Sequence, residues 1–189
     1  MKWSEGMKAI AALVLVVTVS FAVCDRVDAA HARPVVTAAA YNYANVPRDV
    51  LAEAESEVTH VFGHAGLDVR WVDARSYPAA IRVHLLSASM TRRTRTAADV
   101  LGLATAHSGM VHVLYDRVVD QSQALNVRTS KLLAYVMAHE IGHLLLADRP
   151  HGGLGLMRPV LDRKVLSQGI PGFTPDESRQ ILHSDLLSE

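Results

Sequence analysis

The sequence predicts an α+β domain in which a twisted mixed sheet packs on a long N-terminal helix and a second long helix, with a short helix at the C-terminus. Three observations predict it. Half of the 189 residues are hydrophobic, enough for a folded core. Strand-like and helix-like periodicities follow one another in the order β-α-β-β-β-β-α-loop-α. No repeat, low-complexity tract or linker interrupts residues 30–189, so about 160 residues form one domain.

Residues 1–29 read as a signal peptide outside that domain. Lys2 and Lys8 precede an apolar run over residues 9–23 that only Thr18 and Ser20 interrupt, and Val27 and Ala29 offer small residues before a cleavage point. The run is shorter than the roughly 20 residues that span a bilayer. The mature chain is therefore expected to be secreted or periplasmic, without stable membrane insertion; the alternative is an uncleaved N-terminal segment that anchors it. The single cysteine, Cys24, falls in this leader, which leaves residues 30–189 without a thiol. Lys plus Arg equal Asp plus Glu at 19 each, so the chain has no basic footprint for nucleic acid. A monomer is expected.

The domain elements come in order. Residues 34–43, rich in Val and Tyr, read as a strand. Pro47 suits a first helical turn, and Val50, Leu51, Ala54, Val58, Val61 and Phe62 recur at helical spacing before Gly63 and Gly66. Residues 67–72 and 81–86 alternate apolar with polar side chains as half-buried strands do. The polar stretch 87–99, with Arg92, Arg93 and Arg95, reads as a loop, and residues 101–106 and 110–119 as two further strands. Thr129 or Ser130 can cap a long helix through Leu132, Leu133, Val136, Ile141 and Leu145, which Pro150, Gly152, Gly153 and Gly155 follow as a loop. Thr174, Pro175, Asp176 and Glu177 then make a well-formed helix start.

The chemistry lies on the second long helix. His139 and His143 are four apart, so both imidazoles leave one face and can meet one ion. Glu140 sits about 100° round the helix, able to reach a metal-bound water while staying out of the ligand set. A metallohydrolase needs this division of labour: zinc polarises a carbonyl and lowers the pKa of water, and a carboxylate carries the proton. An ordinary core helix would bury Glu140 without a partner at a cost. Two imidazoles leave zinc short of protein ligands. His151 is the best third, since Gly152 and Gly153 let the chain fold back there; Asp148 and Glu177 are the other candidates.

The stretch from His139 to His151, followed by Gly155, Leu156, Met157, Arg158 and Pro159, resembles the metzincin zinc peptidases. The resemblance implies a single metzincin-like domain and a peptide or protein substrate. It implies that His139, His143 and His151 hold zinc, that Glu140 is the catalytic base and that Met157 forms a floor under the metal. Metzincins usually place a glycine three residues and the third histidine six residues after the second ligand; here those positions are Leu146 and Arg149. The helix is accordingly expected to run on, with a longer return loop delivering His151. Pro159 stands where some members have a tyrosine. Residues 101–106 fall where these peptidases carry an edge strand above the cleft, which can bind an extended peptide by strand addition.

The remaining histidines read more plainly. His60 and His64 suit the C-terminal end of a helix, His84 and His112 lie in strands, and His107 lies in a loop. The functional expectation is a secreted zinc metallopeptidase that uses a Glu-activated, zinc-bound water. The competing reading is a non-catalytic, metal-stabilised binding domain on the same scaffold. Glu140 argues against the latter, because a structural site needs no such carboxylate.

Overall fold

The computed structural model describes residues 32–75, 78–105, 108–146, 151–159 and 163–187. Every element below belongs to one compact unit, Arg33–Glu189. The leader expected over residues 1–29 lies outside the described residues, as do His107 and Asp148.

Five strands form one sheet in the order β2-β1-β3-β5-β4, with β1 Val35–Asn42, β2 Asp68–Trp71, β3 Ile81–Leu86, β4 Gly102–Thr105 and β5 Met110–Leu114. Pairs β1–β2, β1–β3 and β3–β5 are parallel, and β4 runs antiparallel to β5 at the sheet edge. The sheet is mixed, as expected. Alternation decides its faces: Val36 and Ala38, then Ile81, Val83 and Leu85, then Val111 and Val113 are buried against the helices. Two long helices cover that side, α1 Arg48–His64 and α4 Thr129–Leu145. Helix α1 presents Ala54, Val58, Val61 and Phe62 inward at i, i+4, i+7 and i+8. The turn that delivers it is held by Asn42, whose side chain bonds both the N–H and the carbonyl of Val46 at 2.9 Å.

Helix α4 is the central element. Thirteen of its 17 residues are buried, so it packs on several sides and not along one stripe. It starts at Thr129 with no side-chain cap, and the Thr129 hydroxyl instead lies 2.9 Å from that of Ser122. The expected C-terminal helix is α6, Pro175–Ile181, and it carries a full capping box between Thr174 and Glu177.

The structure differs from the sequence reading in four places. Residues 110–119 are not one strand: β5 ends at Leu114 and α3, Tyr115–Leu125, begins at once. The inward alternation of Val111 and Val113 stops there, and Leu114, Val118 and Ser122 are buried four apart instead, which is helical spacing. The stretch expected to be a loop contains α2, Ala88–Thr94. It is docked by buried Thr91, whose hydroxyl donates to Asp116 at 2.7 Å, while Arg92, Arg93 and Arg95 face solvent. A short helix, α5 Arg163–Gln168, was not foreseen; it buries Leu166. Finally α4 does not run on: it ends at Leu145, with Leu146 donating its N–H to Gly142 at 2.9 Å.

Candidate metal centre

Helix α4 delivers His139, Glu140 and His143, and the loop after it brings back His151. The three Nε2 atoms form a tight triangle, with separations of 3.1 Å for His139–His143, 3.2 Å for His143–His151 and 3.3 Å for His139–His151. A tetrahedral site with metal–nitrogen bonds of about 2.0–2.1 Å has edges of about 3.3–3.4 Å, so the triangle is close to the face such a metal needs. This is the one cluster of three or more candidate metal-binding side chains among the described residues.

Protonation supports the same reading. His139 Nδ1 lies 2.9 Å from the carbonyl of Leu156. A carbonyl only accepts, so this nitrogen carries the proton and Nε2 is left with a lone pair aimed at the other two rings. Burial, and after it the nearby His151, hold His139 below the usual histidine range, against the raising effect of the Leu156 hydrogen bond. Burial first, then His139 and His151, bring His143 down to about 4. Three imidazole nitrogens converging on one point suit a cation, and this donor set suits zinc.

The return loop that carries His151 is held by its own backbone. Gly152 donates its N–H to the carbonyl of Met157 at 2.8 Å, closing the loop on itself, and Leu156 donates to Gly172 at 2.9 Å. Gly155 has φ +70°, and a Cβ there would lie 2.9 Å from the Gly172 carbonyl, so the turn requires glycine. The loop seats Met157 against α4 at Gly142. A Cβ on Gly142 would approach the Met157 sulfur to 2.6 Å and Phe173 to 3.0 Å.

Glu140 is buried at 8% exposure, and burial raises its carboxyl to about 7. It faces the start of β4, where a Cβ on Gly102 would stand 2.6 Å from its Cγ and 2.8 Å from Oε1. The three histidines and Glu140 open on a cleft of about 990 Å³. Strand β4 lines one side, Arg117 and Asp120 of α3 another, and Arg158 of the return loop a third. The expected edge strand above the cleft is therefore present.

Three neighbours carry roles that the sequence reading did not assign. Tyr135 stacks on His139 at 5.9 Å between ring centroids and donates its hydroxyl to Leu156 at 3.3 Å. Burial pushes the Tyr135 hydroxyl up to about 12, so it stays a donor. Its position four residues before His139 was the available signal. Gly102 and Arg158 arrive only through tertiary packing. Of the other third-ligand candidates, Asp148 lies outside the described residues. Glu177 lies within electrostatic reach of His139 but outside the histidine cluster; its carboxylate accepts the Thr174 N–H at 2.7 Å and its own N–H donates to the Thr174 hydroxyl at 3.3 Å. His84 and His112 pair across β3 and β5 beside Tyr41, on the sheet face away from the two long helices. His60 and His64 pack ring to ring, centroids 4.2 Å apart, in the last two turns of α1.

No protein-family model matches the sequence, and no curated protein matches it. Solved structures do. An archaemetzincin from Methanopyrus kandleri superposes with a TM-score of 0.52 at 13% identity, covering 84% of this chain and 98% of its own. A zinc-dependent peptidase from Methanocorpusculum labreanum gives 0.54 at 14% identity, covering 77% and 99%. The chain thus shares its fold with an archaemetzincin and with a zinc-dependent peptidase.

Proposed function

We propose that the chain is a zinc-dependent metallopeptidase, with His139, His143 and His151 as the zinc ligands and Glu140 as the general base. The observation that carries this reading is the triangle of three imidazole nitrogens beside a buried carboxylate, at the base of an open cleft. The names of the two solved structures that share the fold point the same way.

Zinc, when bound, supplies Lewis-acid polarisation of the scissile carbonyl and a lowered pKa for water. The chain supplies the rest. Leu156, through its carbonyl, fixes the His139 tautomer and ring plane. Glu140, held near neutrality by burial, takes a proton at its carboxylate and returns it to the leaving amine. The edge of β4 offers backbone donors and acceptors to an extended peptide, which would lie along the cleft past Glu140. A closed structural metal site would need neither the carboxylate nor the cleft.

The leader sequence supports a secreted or periplasmic location, with residues 1–29 removed and residues 30–189 acting as the catalytic domain. The chain is read as a monomer. Elemental analysis tests the metal assignment: about one zinc per chain is expected in the parent, and none in His139→Ala or His143→Ala. Cleavage of a random peptide library by the zinc-loaded parent tests the activity. Full zinc retention in both variants, or an uncleaved library, would sink the proposal.

A further inference from the structure

The cleft contains two arginines in different circumstances. Arg117 is spent on the chain itself: its terminal nitrogens donate to the carbonyls of Ala97, Val100 (2.9 Å) and Thr96 (3.4 Å), bracing the loop that leads into β4. Arg158 is not. Only its Nε is used, donating to the Gly155 carbonyl at 3.2 Å, which fixes the side chain and leaves both terminal nitrogens without a partner among the described residues. No ion pair among those residues involves it, although Asp99 and Asp120 also line the cleft.

It lines the same cleft as the histidines and Glu140. Arg158 directly follows Met157, the side chain seated on Gly142 between His139 and His143. It also lies within electrostatic reach of the Tyr135 hydroxyl, and Tyr135 stacks on His139. A half-buried guanidinium with its planar fork open matches a carboxylate in both charge and shape, and its partial loss of water is offset only when an anion arrives.

We infer that Arg158 selects the substrate: its guanidinium receives the carboxylate of an acidic residue adjacent to the scissile bond, so the substrates are acidic peptides. The inference rests on the zinc-peptidase reading and adds the substrate class to it. The acidic side chain enters beside Tyr135, and the peptide backbone runs along β4. Asp99 and Asp120, both exposed, lie on the loop before β4 and on α3. They leave that side of the cleft to neutral or basic residues further from the cleavage point.

Two measurements test this, and the first needs no turnover. Acetyl-aspartyl hydroxamate and acetyl-asparaginyl hydroxamate differ by one charge and are titrated into the zinc-loaded full chain. The aspartyl ligand is expected to bind about tenfold or more tightly, the scale of a charge-assisted pair, and Arg158→Gln should equalise the two with its zinc content unchanged. In a peptide library the parent should cut beside Asp or Glu, and Arg158→Glu should move the preference to Lys or Arg. Equal affinities in the parent, or an acidic preference that survives in Arg158→Gln, would overturn the role of Arg158 while leaving zinc binding and hydrolysis standing. Failure of both hydroxamates to bind would overturn the metal-centre reading and this inference with it.

Discussion

Replacing Gly102 with alanine probes the fit between β4 and the carboxylate on which the mechanism depends. The added Cβ would stand 2.6 Å from Glu140 Cγ, 2.8 Å from Oε1 and 2.9 Å from Cδ, all well inside contact distance. Gly102 does not occupy the left-handed region, so its backbone accepts alanine and the whole penalty falls on Glu140. Overpacking of this kind costs about 1–3 kcal/mol. At about 2 kcal/mol the melting temperature of a chain this size falls by about 4–8 °C. Glu140→Ala removes the three atoms nearest to the new methyl. In that background Gly102→Ala should instead stabilise by about 0.5–1 kcal/mol, because alanine loses less backbone freedom than glycine in a strand. The double-mutant cycle on metal-free protein therefore predicts a coupling of about 1.5–4 kcal/mol. The zinc-loaded Gly102→Ala protein should keep its metal and lose mostly kcat, since a shift of about 1 Å in a reacting group can cost about 10²-fold. Equal destabilisation in both backgrounds would refute the reasoning, whatever happens to activity.

His151→Ala should weaken zinc binding strongly, whereas Glu177→Ala should barely change it but cost about 0.5–2 kcal/mol of stability through the lost capping box; zinc affinity and denaturation of the two variants separate the roles. The pH dependence of the metal-free protein has two opposed parts. Burial raises Glu140 to about 7 in the folded state, so the unfolded chain releases that proton first and the parent loses stability as pH rises from about 4.5 to about 7. Metal-free Glu140→Gln should accordingly gain on the parent across that window, by up to about 3 kcal/mol. Burial lowers His143 to about 4, so the unfolded chain binds that proton first and His143→Gln should gain on the parent as pH falls from about 6.5 to about 4. Variants that track the parent at every pH would contradict both assignments.

The parts of the fold legible in the sequence were those whose burial pattern is local. Helix α1 shows its inward residues at helical spacing, β3 alternates, and Thr174 with Glu177 announces the start of α6. Helix α3 was hidden because a Val-rich strand runs straight into it without a turn residue, so composition continued while the period changed. Helix α2 was hidden because it is short and is held by the Thr91–Asp116 hydrogen bond, a contact 25 residues long in sequence. The site divides in the same way. His139, Glu140 and His143 follow from the helical period alone. His151 could be named but not placed, since its position depends on the Gly152–Met157 and Leu156–Gly172 hydrogen bonds of the return loop. Gly102 and Arg158 were out of reach, because their importance comes from what other elements bring beside them.

Glu140 is the one side chain that a hydrolase needs here and a metal-stabilised binding domain does not. The measurement is peptide hydrolysis by zinc-loaded parent and Glu140→Gln at matched zinc content, with an identical fold confirmed by circular dichroism. General acid–base help is worth about 10²–10⁴-fold, so Glu140→Gln should keep one zinc per chain and lose turnover by that factor. Equal turnover in the two proteins at equal zinc would contradict the claim.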